Sequence, residues 1–194
     1  MKTSRVEAFS DGVLAIIITI MILEIKVPEG NTFQDLLPLM PKFITYLLSF
    51  IYVGIYWNNH HHLWHAVEHV NGKILWANLH LLFWLSLFPF TTGWMGENHF
   101  STYPVASYGF VLLMASVAWF IMTHFIIKEE GDTSKIGMML KNTSKVKISM
   151  LIYCAGVITS FFLPVISISA YVLVAALWFI PDKRIEKSVN EKFN

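Results

Sequence analysis

From Phe9 the chain runs apolar for about nineteen residues, as far as Val27, and stops at Pro28, Glu29 and Gly30. At about 1.5 Å per residue, such a helix just spans the hydrocarbon of a bilayer. The pattern then recurs. A second apolar run extends from about Lys42 to Asn59 and ends in His60, His61 and His62. A third goes from about Lys73 to Trp94, with Asn78 and His80 inside it and Pro89 predicted to kink it. A fourth starts near Tyr103, carries Pro104 in its first turn, where proline is tolerated, and ends at Lys128. The last apolar stretch is too long for one span and predicts two short ones, Ile148 to Leu163 and Val165 to Ile180, with Pro164 at the hairpin. The runs are continuous, not alternating, so they predict helices and not a barrel. The fold class is all-α integral membrane, with six transmembrane helices in one domain over residues 1–181 and a short polar tail over 182–194. The segment from Lys128 to Lys147 is charged and reads as a solvated loop, and no internal repeat is evident.

Composition agrees with that pattern. The chain has 194 residues, 55% hydrophobic and only 14% charged, with less charge and more apolar weight than soluble domains carry. A net charge of +1 gives no reason to expect nucleic acid as a partner. The first apolar run is too long for the core of a cleavable signal and no small-residue cleavage site follows it. The lone Cys154 reads as a small core residue. Charge also predicts topology. With both termini in the cytoplasm, the inner segments hold Lys2, Arg5, Lys73, Lys128, Lys135, Lys141, Lys145, Lys147, Lys183, Arg184, Lys187 and Lys192, and the outer ones hold only Lys26 and Lys42. Asp11 then lies at the cytoplasmic end of the first helix and Glu24 at the outer end. Trp57, Trp64, Trp76, Trp94 and Trp178 fall near span ends, as interfacial belts do.

The first run carries polar groups in its opening turn: Ser10, Asp11 and Gly12. A carboxylate there is favoured by the helix dipole and is expensive in lipid without a partner. On a helical wheel Ile16, Ile20 and Leu23 form one stripe, with Thr19 beside it. Spacing alone leaves two readings open, lipid-facing packing or a hydrophobic constriction of the kind that gates by dewetting. No TVGYG filter sequence occurs.

Arg5, Phe9, Ser10 and Asp11, followed by GVLAIIITIMIL, resemble the signature of the potassium-channel family of transmembrane protein 175 in its bacterial, one-repeat form. YWNNHHHLW resembles the family's Trp-x-x-His-His segment, and NLHLLFWLSLFPFTT resembles its third span. The resemblance implies a homotetramer in the bacterial plasma membrane, each subunit contributing its first helix to a central pore. It places the constriction and selectivity residues five, nine and twelve positions after the motif aspartate, at Ile16, Ile20 and Leu23, with Thr19 adding a hydroxyl layer. It further implies that Arg5, Phe9, Ser10 and Asp11 clamp the pore helix, with a gating role open to them, Ser10 and Asp11 joining a polar network with Trp57 and His61 of the second span and Asn78 of the third; the alternative is that Asp11 simply reaches cytoplasmic water. Potassium would pass with weak preference over sodium, because it sheds water more cheaply at an apolar ring. No cofactor is implied beyond permeant potassium ions, the partners being the bilayer, monovalent cations and further copies of the chain, and no enzymatic activity is implied.

The eight histidines keep an alternative open. His61, His65 and His69 recur every fourth residue, like zinc ligands on one helix face, and would suit a membrane metal or haem redox protein. No cysteine or carboxylate completes a tetrahedral set at a familiar spacing, Glu68 being adjacent but on a different face from His61, so no metal site is expected. His80 and His124 lie inside spans and read as packing or proton-sensitive groups. A proton-leak channel of the same family is a further variant. A secondary transporter is disfavoured by the lack of paired, proline- or glycine-broken spans. Glu24, Glu29 and Glu97 lie at the outer end, either drawing cations to a mouth or solvated in loops.

Overall fold

The computed structural model describes residues 3–141 and 143–179. Among them the chain is helical throughout: α1 (Thr3–Leu23), a 3-10 helix (Phe33–Leu39) leading into α2 (Met40–Ala66), α3 (Gly72–Ser86), α4 (Phe88–Glu97), α5 (Thr102–Glu130), α6 (Lys135–Leu140), α7 (Ser144–Thr159) and α8 (Pro164–Phe179). Four helical stretches are long and apolar enough to cross a membrane: Thr3–Leu23, Phe33–Ala66, Gly72–Glu97 and Thr102–Glu130. α7 and α8 have sixteen residues each. Such helices reach about 24 Å, short of the roughly 30 Å of hydrocarbon.

Several boundaries differ from those the apolar runs predict. α1 begins at Thr3, six residues before the apolar run, so the Arg5-to-Asp11 motif is itself helical. α2 continues through the histidines to Ala66, where Val67 turns extended. His69 therefore leaves the face that His61 and His65 share. The predicted kink falls at Leu87, between the end of α3 at Ser86 and the start of α4 at Phe88, and Pro89 sits in the first turn of α4, where its missing N–H costs nothing. The segment after Lys128 is not simply a solvated loop, since α6 forms within it and buries Ile136. Cys154, expected in the core, is exposed on α7. The polar tail and Ile180 lie outside the described residues.

α5 is the central post. It packs on α3, α4, α6, α7 and α8, while α1 packs on α2, α3 and α4. The middle of the bundle is held by hydroxyls. Ser49 Oγ lies 2.6 Å from Thr92 Oγ1 and 3.0 Å from the Tyr108 hydroxyl. The Tyr52 hydroxyl donates to the Tyr171 carbonyl at 2.5 Å, and the Tyr153 hydroxyl donates to that of Tyr52 at 3.3 Å. In lipid, apolar side chains gain little from leaving one apolar medium for another, so close packing and interhelical hydrogen bonds, about 0.6 kcal/mol each on average, set the arrangement. Small residues let the ring of Tyr171 in. A methyl group on Gly109 of α5 would collide with its hydroxyl, and one on Gly156 of α7 would strike its ring edge.

Both ends are tied as well. Glu130, at the end of α5, accepts from the backbone N–H groups of Glu68 and His69 at 2.8 and 2.7 Å. The Asn71 side chain donates to Glu129 Oε2 at 2.6 Å and accepts from the Ile74 N–H, capping α3. At the opposite end Lys42 and Glu97 pair at 3.0 Å.

The packing around Tyr171 predicts an overpacking penalty. Gly109→Ala should destabilise the folded state by about 1–3 kcal/mol, whereas Gly54→Ala, whose added methyl meets nothing within 4 Å, should not. Thermal unfolding in lipid nanodiscs measures both. Equal melting temperatures for the two variants would contradict this account of the core.

Candidate pore helix and its polar clamp

α1 has two distinct sides. Val6, Ser10, Leu14, Ile17 and Met21 are buried against α2, α3 and α4. Their spacing of three and four residues is that of one helix face. The other side carries the stripe singled out in the sequence: Ile16, Ile20 and Leu23 are 59%, 43% and 78% exposed, and Thr19 is exposed between them. The Thr19 hydroxyl donates to the Ile16 carbonyl at 2.8 Å. With its proton used on the backbone, the oxygen presents lone pairs outward, as a cation requires. Gly12 and Ala15 lie on the exposed side too.

A polar clamp sets this orientation. Ser10 Oγ donates to the Val6 carbonyl at 2.8 Å and accepts from Asn78 Nδ2 of α3 at 3.0 Å. Asn78 Oδ1 lies 2.8 Å from His60 Nε2, and the Trp64 indole N–H donates to that same nitrogen at 2.7 Å. One ring nitrogen cannot accept from the indole and donate to the amide oxygen at once. The His60 tautomer decides which of the two contacts is a hydrogen bond, and the bond from the Asn78 amide to Ser10 stands in either case. Ser10, His60, Trp64 and Asn78 are all buried, so each unmade bond here is expensive. Near the far end of α1 the Thr92 hydroxyl points at Met21 Sδ, 3.8 Å away.

The structure thus brings Ser10 and Asn78 together, as expected, but builds the rest of the network from different residues. His60 and Trp64 enter it, not His61 and Trp57. The reason is register. Tyr52, Val53, His60, Leu63 and Trp64 lie on the buried side of α2, and a step of one residue turns a side chain by about 100°. Trp57 is exposed and stacks on His61, the ring centroids 6.0 Å apart. His61 Nδ1 instead meets Glu7 Oε1 at 2.7 Å, a partner absent from the sequence reading. The buried stripe of α2, counted back from Tyr52 and Val53, was the signal for His60.

Asp11 is half-buried, and its Oδ1, like His60 Nδ1, is shielded with no hydrogen-bond partner among the described residues. Arg5 and Phe9 are exposed. Glu24 and Glu29 are exposed at the far end of α1. His80 accepts from the Trp84 indole at 2.9 Å, which makes it a packing partner within α3.

Helices of this number and polarity define a multi-pass, all-helical membrane protein. A family model described as endosomal/lysosomal potassium channel TMEM175 matches residues 5–89. A potassium channel of Chryseobacterium sp. (strain P1-3) is 58% identical over 191 residues, 98% of this chain and 100% of that protein. The endosomal/lysosomal proton channel TMEM175 of Homo sapiens is 40% identical over 75 residues, 32% of this chain and 15% of that protein. The crystal structure of a lysosomal potassium-selective channel TMEM175 homolog from Chamaesiphon minutus matches with a TM-score of 0.79 and 25% identity, over 91% of this chain and 95% of that one. The chain belongs to the TMEM175 family.

If the clamp acts as a unit, its members couple. Ser10→Ala and Asn78→Ala should each destabilise the protein by about 1–3 kcal/mol. The double variant should fall short of the sum by about 0.5 kcal/mol or more. Denaturant unfolding in mixed micelles provides the cycle, and strict additivity would remove the clamp as a coupled element.

Proposed function

We propose that four copies of this chain form a potassium channel in the bacterial plasma membrane, with six spans per subunit, both termini in the cytoplasm and α1 lining a central path. One observation carries the reading. The stripe Ile16, Thr19, Ile20 and Leu23 faces away from the chain's own core, opposite the buried stripe. Two further features support it. Only 28% of the α1 span and 22% of the Phe33–Ala66 span are buried within the chain, against 50% of each of the other two, so α1 is one of two spans with most of their surface left for neighbours. The relatives named as potassium channels include one that matches from end to end.

In this reading Ile16, Ile20 and Leu23 form successive apolar rings, and closed fourfold symmetry brings four copies of each to the axis. An ion passes by shedding part of its water, helped by the Thr19 oxygens beside Ile20. Potassium gives up water more readily than sodium and is preferred. The preference is weak, because no fixed cage of carbonyls replaces the lost shell. The clamp of Ser10, Asn78, His60 and Trp64 does not touch the ion and keeps α1 from rotating. Arg5 and Phe9 flank the clamp, and Asp11 Oδ1 takes its donors from water or a neighbouring copy. No cofactor takes part. The Homo sapiens relative named a proton channel, which matches over 75 residues, favours a second reading in which protons also pass.

Flux of potassium from liposomes holding the purified protein, with sodium as matched control and a pH dye for protons, tests both readings. Ile16→Asn and Leu23→Asn should each raise potassium flux and narrow the gap to sodium. Flux and selectivity unchanged in both variants would take the stripe out of the path.

A further inference from the structure

Glu7, His61 and His65 form a cluster that neither the clamp nor the pore stripe uses. Glu7 Oε1 lies 2.7 Å from His61 Nδ1 and 3.7 Å from His65 Nε2, and the three ligand atoms all fall within 4.8 Å of one another. The two histidines are one helical turn apart on α2, and their rings meet edge to face at 4.4 Å. The carboxylate comes from α1 and is largely covered, its side chain only 17% exposed. A histidine–carboxylate hydrogen bond accounts for the His61 contact. It does not account for a second imidazole nitrogen converging on the same oxygen.

We propose that Glu7, His61 and His65 bind a divalent transition-metal ion of the zinc class. Two imidazoles four residues apart on a helix, joined by one carboxylate, are a familiar donor set for that ion. Bonds of about 2.0–2.1 Å in tetrahedral geometry put ligand atoms about 3.3 Å apart. One contact here must open by about half an ångström and the other close by about as much, within the reach of ordinary side-chain adjustment. Three protein ligands leave the fourth position to water. Calcium and magnesium prefer all-oxygen shells and are disfavoured by the two nitrogens. The bound ion would link α1 to α2 four residues before Asp11, at the end of the bundle that the lysine bias assigns to the cytoplasm. The proposal does not rest on the channel reading, since it concerns binding within one chain.

The test uses the purified full chain in lipid nanodiscs at neutral pH. Zinc chloride is titrated against a chromophoric chelator, and the melting temperature is followed with and without metal. The wild type should take up one zinc ion per chain and melt higher with it. His65→Ala, which keeps the Glu7–His61 hydrogen bond, should bind more than about tenfold more weakly, since even outer partners of metal ligands matter that much. Glu7→Gln should lose the site as well and serves as the second variant. His124→Ala, on the exposed side of α5 and outside the cluster, should bind as the wild type does. No stoichiometric uptake by the wild type, or wild-type affinity retained in His65→Ala and Glu7→Gln, would overturn the site.

Discussion

The hydrogen bond from Asn78 to Ser10 determines which way the first helix faces. α1 is apolar nearly all the way round, and lipid does not distinguish one apolar face from another. A polar group on a single face does. Ser10 is drawn into the bundle by Asn78, which is itself tied through His60 to Trp64. Val6, Leu14, Ile17 and Met21 follow Ser10 inward by helical periodicity, and Met21 meets Thr92 near the far end. With the helix oriented at both ends, Ile16, Ile20 and Leu23 have nowhere to point but away from the chain's own core. A substitution that freed Ser10 would act on the exposed stripe without touching it.

The rest of the bundle serves the same end. α5 collects α3, α4, α7 and α8, and its terminal Glu129 and Glu130 tie down the connection between α2 and α3. That connection carries α3, and hence Asn78, to the level of Ser10. The hydroxyl cluster around Tyr52, Tyr108 and Tyr171 holds the middle of the bundle, where hydrophobic attraction between helices is weakest. The proposed metal cluster sits one turn from Ser10 on α1. The proposed path, the clamp and the proposed ligand Glu7 are thus successive positions along one helix.

Much of this was legible in the sequence, for physical reasons. Long apolar runs announce helices because backbone polar groups must be satisfied internally in lipid, and Pro89 announces a kink because it lacks an N–H. The exposed stripe was visible as spacing, but spacing by itself could not distinguish lipid from a pore, so the family resemblance had to decide. The register of α2 was harder. Four polar or aromatic residues in adjacent turns, Trp57, His60, His61 and Trp64, compete for one buried face, and only the hydrophobic stripe further back settles which pair turns inward. Glu7 was out of reach altogether, because its partners lie more than fifty residues away and depend on how α1 packs against α2. The charged segment after Lys128 hid α6, a six-residue helix whose Ile136 is buried and whose Leu140 packs partly against the core.

The orientation of α1 is best tested by thiol accessibility during conduction. With the native Cys154 replaced by serine, single cysteines are placed at Ile16, Ile20 and Leu23 and, on the opposite side, at Leu14, Ile17 and Met21. Potassium currents are recorded while a water-soluble, charged thiol reagent is applied. The account predicts rapid block at the first three positions and none at the second three. Block at Leu14, Ile17 and Met21 with the first three unaffected would contradict it, and would mean that the helix faces the path with the side now assigned to the core.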